Sequence, residues 1–149
     1  MVHMKRLFTL ACVLALVLTS PAAAATEEPT GPNADLWYPT ADDGSRGVAF
    51  YFVFSETCPH CSHAKPLVDH LDDTYEWLSV RRISTQAATD QEISEVLTLA
   101  DEIGEEIQGV PTFLFCERMD VGFDTWETTG ALLEDKLVEC HNAIAGPDD

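Results

Sequence analysis

The chain has 149 residues, is 46 % apolar, and carries 26 acidic residues against 8 Lys and Arg, for a net charge of −18. That length bounds it to about one ordinary domain, with enough apolar content for a core of a few strands and amphipathic helices without help from a metal or many crosslinks. So acidic a surface excludes a nucleic-acid binder and repels anionic membrane.

Residues 1 to 25 read as a secretory signal peptide: the basic pair Lys5 and Arg6, an apolar stretch from 7 to 18, then Ser20, Pro21 and alanines from Ala22 to Ala25. The stretch falls short of the ~20 residues that span a bilayer, so a leader cut near Ala24 or Ala25 is expected over a membrane anchor. Met4, directly before the basic pair, is an alternative start, and Cys12 leaves with the leader. Cleavage removes Lys5 and Arg6 but no acid, taking the net charge from −18 to −20, 26 acids against 6 bases. The mature protein is expected in the periplasm or otherwise outside the cytoplasm, where disulfides persist. Cys58, Cys61, Cys116 and Cys140 remain there, with three possible pairings. Spacing favours Cys58 with Cys61 and leaves Cys116 and Cys140 as partners or as free thiols.

Residues 26 to 46, rich in Pro, Gly, Asp and Thr, read as an N-terminal extension or linker with one docking point, Leu36-Trp37-Tyr38. The domain proper is expected over 47 to 145, with 146 to 149 as a tail. Residues 48 to 54 are continuously apolar, β-branched and aromatic, the pattern of a buried central strand. Pro59 suits the first turn of a helix, which runs to about Asp73 with Ala64, Leu67, Val68 and Leu71 on one face and a kink at Pro66. Residues 78 to 83 alternate as a second strand. A second helix spans Asp90 to Ile103, capped by Thr89 or Asp90, with Ile93, Val96, Leu97 and Ala100 as its apolar stripe and Gly104 as its stop. Residues 112 to 116 form another apolar strand, Glu117 to Asp120 a turn, and Val121-Gly122-Phe123 a hairpin partner. A last helix starts at Thr128 or Thr129, with Leu132, Leu133, Leu137, Cys140 and Ile144 sharing a face.

The chemistry centres on Cys58-Pro59-His60-Cys61. A cysteine at a strand-to-helix junction meets unpaired backbone N–H groups and the positive end of the helix dipole, which favour its thiolate. A lowered pKa makes it both a ready nucleophile and a good leaving group. Two intervening residues put Cys61 at the same helix start, within reach of the Cys58 sulfur, so Cys58 is read as the attacking thiol and Cys61 as the resolving one. His60, between them, can donate a hydrogen bond or positive charge to the thiolate, or stand as a solvent-facing residue with no role.

Three ordered features resemble the thioredoxin superfamily over about residues 47 to 145: Cys58-Pro59-His60-Cys61 after an apolar strand, Pro66 eight residues past Cys58, and Val110-Pro111 opening the next strand. The tetrapeptide is similar to that of DsbA-like periplasmic oxidases, whereas the short layout looks more like a small thioredoxin. The resemblance implies a thioredoxin-like α/β fold, a central mixed β-sheet flanked by helices. It also implies a cis Pro111, with Val110 pairing in strand fashion with an incoming peptide. Many relatives hold a buried acid six residues before the first cysteine, where this chain has Phe52; proton handling at Cys61 then falls to water, His60 or Glu56. Cys116 and Cys140 lie in two elements that pack together in such a fold, which leaves a structural disulfide or two buried thiols.

The expected activity is thiol-disulfide exchange by a monomer with protein thiols or disulfides, served by a membrane or soluble redox partner and needing no cofactor. The alternative is a redox-inert or copper- or zinc-carrying binding module, because Cys58, Cys61 and His60 or His63 are acceptable ligands. A structural zinc site would call for a second knuckle, and no other CxxC exists, so no metal is assigned. Covalent haem would need a His after the second cysteine, where Ser62 stands. Trp37, Trp77, Trp126, Phe113 and Phe115 are read as packing residues, and His63, His70 and His141 as surface helix residues.

Overall fold

A computed structural model describes residues 30 to 145; the expected signal peptide and the tail at 146 to 149 lie outside them. The strand β1 (Val48–Phe54) is buried along its whole length, as its unbroken apolar run requires of a strand covered on both faces. It pairs in parallel with β2 (Leu78–Ser84), from Val48 opposite Leu78 to Phe54 opposite Ser84. On its other side β1 runs antiparallel to β3 (Thr112–Phe115), with Phe52 opposite Phe113, and β4 (Arg118–Val121) closes the sheet antiparallel to β3. The strand order is β2-β1-β3-β4. Parallel strands need a crossover, and α2 (Pro59–Thr74) supplies it between β1 and β2, running unbroken through Pro66. The arrangement is a thioredoxin-like α/β fold, a mixed sheet flanked by helices.

Alternation along β1 sends Phe50, Phe52 and Phe54 to one face. There Phe52 stacks between Phe54 and Phe113, with ring centroids 5.0 and 5.5 Å away, and Phe50 lies 5.7 Å from Phe113. Each fully buried ring of this kind contributes roughly 1.5–3 kcal/mol from area alone. On the opposite face the Tyr51 hydroxyl donates to the Leu36 carbonyl at 3.0 Å.

The segment expected as a linker is more structured than its composition suggests. It folds into the single turn α1 (Ala34–Trp37) and a short bridge between Thr40 and Arg46. Trp37 is buried, and its indole N–H donates to Glu102 at 3.2 Å, so the apolar cluster docks through a polar bond to a helix 65 residues away in sequence. Gly47 then brings the chain against the Trp77 carbonyl, where a Cβ would sit 2.5 Å from the oxygen; a side chain there would push β1 out of register with the entry to β2.

Helix α3 (Asp90–Glu102) has a full capping box between Thr89 and Glu92, but its buried face is shifted. Val96, Leu99 and Ala100 face the core, whereas Ile93 and Leu97 are largely exposed. The expected stripe was centred one row too far round, because Leu99 and Ile103 complete a helical row with Val96 and Ala100 that Ile93 and Leu97 only flank.

The hairpin is tighter than expected. β3 ends at Phe115, and the loop is two residues, Cys116 and Glu117, both with positive φ (50° and 54°). Two left-handed residues are what a type I′ turn demands, and neither is the Gly or Asn that would have announced it. The strand partner is therefore Arg118–Val121, not Val121 to Phe123. After β4 a single π-helical turn (Trp126–Gly130) leads into α4 (Ala131–Ala145), so the last helix begins later than Thr128 or Thr129. Gly130 permits the approach of that turn to α2, since a Cβ there would lie 3.3 Å from Leu67. Leu133 and Leu137 are buried, with Cys140 and Ile144 packed beside them; Leu132 faces outward.

Candidate active site

β1 delivers the chain to a turn in which the Cys58 N–H donates to the Ser55 carbonyl at 3.2 Å. Cys58 is the N-cap of α2, with extended backbone (φ −88°, ψ 118°), and Pro59 occupies the first helical turn. An N-cap side chain normally accepts a bond from an orphan amide of the first turn. Here the Cys58 sulfur does so, from the Cys61 N–H at 3.3 Å. The Cys58 thiol is held below its ordinary pKa, first by a hydrogen bond from the Cys61 side chain; burial works against this, and the backbone of Cys61 and of His60 each add a smaller lowering effect.

Cys61 lies on the buried face of α2 with no exposed surface. Burial pushes its thiol up to about 11, helped by its bond to Cys58; the Ser55 backbone and the charge of Lys65 pull the other way. The two cysteines are free, and environment drives their affinities for a proton apart. One is a half-exposed sulfur that favours the thiolate, the other a buried sulfur that favours the neutral thiol.

Val110, the residue before Pro111, lies against Cys58. The Val110–Pro111 peptide is cis, and the Cys58 thiol faces the Val110 carbonyl at 3.6 Å. Thr112, wholly buried, satisfies its hydroxyl by donating to the Gly109 carbonyl at 2.6 Å, which fixes the chain as it enters this position. The His60 ring turns away from Cys58: its Nδ1 is 2.9 Å from the Phe123 carbonyl. A carbonyl only accepts, so Nδ1 carries the hydrogen. What His60 gives Cys58 comes through its backbone.

Phe52 is sealed in the aromatic stack, and Glu56 is exposed and held by Lys65 at 2.8 Å. Lys65 is the residue near the site that the motif did not single out. Its spacing, one turn past Cys61, was the available signal. The Phe123 carbonyl had no signal, being a backbone atom 63 residues from His60. Away from the site, Cys116 and Cys140 are joined by a disulfide across 24 residues. His70 lies against Trp126 and His141 stacks on Trp77, with centroids 5.0 and 4.1 Å apart. Among the described residues no three His, Cys, Asp or Glu side chains converge as ion ligands, and no helix is long and apolar enough to cross a membrane.

No family model and no curated protein matches the chain. Among solved structures it is similar to the thioredoxin from Aeropyrum pernix, with 21 % identity, 60 % of this chain and 75 % of that one covered, and a TM-score of 0.45. It is also similar to the first thioredoxin domain of mouse protein disulfide-isomerase A4, with 17 % identity, 83 % and 90 % coverage, and a TM-score of 0.36. The fold class stands on the strand order and pairing of this chain.

Proposed function

We propose that the protein is an extracytoplasmic thiol-disulfide oxidoreductase acting on protein thiols, with Cys58 attacking and Cys61 resolving. The observation that carries this reading is the split within one helix start. The Cys58 sulfur is stabilised as a thiolate by first-turn donors, while Cys61, three residues on, is buried and neutral. Reducing a substrate, the Cys58 thiolate attacks one sulfur of a disulfide, forms a mixed disulfide and expels the other sulfur as a thiolate. Cys61 then loses its proton and attacks Cys58, so that the Cys58–Cys61 bond forms and the second substrate thiolate leaves. Oxidation of a dithiol runs the same steps backward. Every bond that favours the Cys58 thiolate stabilises the reduced form and biases the couple toward oxidising its partners.

The Val110 carbonyl, already facing Cys58, is the backbone group positioned to meet an extended substrate segment in strand fashion. The redox equivalents come from a soluble or membrane partner, and the chain acts as a monomer without a resident cofactor. Insulin reduction or dithiol oxidation, measured with chelator present, tests the activity: turnover is expected, and it should vanish in Cys58→Ser. Absence of turnover together with stoichiometric tight binding of copper or zinc would overturn the reading. Export rests on the leader-like pattern of residues 1 to 25, and sequencing the N-terminus of the protein purified from its native cells should place it near residue 25.

A further inference from the structure

The resolving step asks a buried thiol to give up a proton, and the face on which Cys61 lies offers it no base. Along α2 that face continues with Ala64, Leu67 and Val68, and β1 contributes Phe50, Phe52 and Phe54. A cation stands at its edge. Lys65 is one helical turn beyond Cys61, and helical side chains lean back toward the N-terminus, which puts its stem on the stretch of α2 that carries the cysteine. The ammonium is pinned on two sides, 2.8 Å from the Glu56 carboxylate in the β1–α2 turn and 4.6 Å above the Phe54 ring at the end of β1. Phe54 in turn is fixed by its stack on Phe52.

We propose that Lys65 is a positioning residue for the resolving cysteine: its ammonium, held by Glu56 and Phe54, stabilises the Cys61 thiolate as it forms. The inference rests on the exchange function above. Where a buried base would accept the proton, this chain supplies a positive charge that makes its loss to solvent easier. The electrons balance as in ordinary exchange: the Cys61 thiolate donates a pair to the Cys58 sulfur to form the Cys58–Cys61 bond, the Cys58–substrate bond breaks, and the substrate sulfur leaves with the pair of that broken bond and takes up a proton. The charge of Lys65 acts on Cys61 in the lowering direction, as the smallest of the influences on that thiol; the placement of the ammonium carries the argument.

Few other charges face Cys61. Cys58 is the titrating neighbour, Glu56 sits on the Lys65 ammonium at the exposed edge, β1 carries no charged side chain, and Arg82 of β2 is engaged by Asp69 and Asp72 further along α2. His60 and His63 are on the exposed side of α2, and Glu127 of the π-helical turn is exposed.

The test titrates Cys61 by thiolate ultraviolet absorbance in a Cys58→Ser background, which needs no substrate and reports even if the protein turns nothing over. Lys65→Met, a good helix former at a partly exposed site, should raise the Cys61 midpoint, and Lys65→Arg should leave it in place. In the full chain with both cysteines, closure of Cys61 on a Cys58 mixed disulfide made with an aromatic disulfide probe should slow about threefold at neutral pH in Lys65→Met, with its pH profile displaced upward. Lys65→Arg should restore it. A Cys61 midpoint unmoved by Lys65→Met overturns the proposal, whereas loss of turnover in the wild-type chain would overturn the functional reading and leave the titration to decide on Lys65.

Discussion

Cys58 and Cys61 stand free while Cys116 and Cys140 are joined, and the two pairs show how differently one fold can use the same element. The first pair sits three residues apart on one helix start, where backbone amides reach one sulfur and the core encloses the other. Joining it closes a very short loop, so it constrains little of the unfolded chain, and its sulfurs keep contrasting proton affinities. The second pair ties the tip of the β3–β4 hairpin to α4 across 24 residues, restricting a long stretch of unfolded chain. Local environment suits the first pair to the proposed exchange, and sequence separation suits the second to a structural crosslink.

The sharpest way to break that contrast is to remove one sulfur from each pair. Cys58→Ser should take exchange activity to the uncatalysed background while shifting stability by less than about 1 kcal/mol, since serine is itself a good N-cap. Cys116→Ser or Cys140→Ser should do the reverse, leaving turnover near wild type and costing about 3.5 kcal/mol on the chain-entropy estimate for a loop of this length. Denaturant unfolding beside an insulin-reduction assay measures both. Loss of turnover in the Cys116 variant would make the second pair a redox relay and dissolve the distinction.

A smaller effect separates the members of the first pair by pH. Cys58 is depressed below an ordinary thiol's 9.0, so its contribution to the stability of the reduced protein is full above 9 and is lost as pH falls through its folded value. Cys61 is raised, so its contribution is full below 9 and is lost as pH rises toward about 11. Relative to a Cys58→Ser/Cys61→Ser variant, the reduced protein should gain stability on approaching pH 9 from below and lose it above. Unfolding free energies measured in steps across this range check it, and a flat difference would mean the two environments are alike.

How much of this was legible in the sequence depends on whether the signal was local. The unbroken run of β1, Pro59 after Cys58, and the Thr89–Glu92 cap are local patterns, and each sits where the pattern puts it. The exposed Ile93 and Leu97 were misplaced because periodicity defines a face only to within about one row, and the choice between rows is made by what packs against it. The hairpin was misjudged because Cys116 and Glu117 adopt left-handed backbone with no glycine to signal it. At the site, the cysteines were readable from spacing, but the Phe123 carbonyl that takes up the His60 ring was not, because a backbone oxygen brought in from the far side of a hairpin has no sequence signature.

That last contact gives the finest test of how Cys58 is tuned. If the imidazole acted on the Cys58 thiolate through its own hydrogen bond or charge, His60→Ala would raise the Cys58 midpoint by a unit or more, on the order of the effects of close charges. In the structure the ring bonds to Phe123, and the amides that reach Cys58 belong to the backbone, which alanine retains. His60→Ala should therefore move the pH midpoint of Cys58 alkylation by less than about half a unit, well within what close charges can do. It should loosen instead the link between α2 and the chain after β4, seen as faster amide exchange around Phe123. A large midpoint shift with unchanged exchange would return the role to the ring.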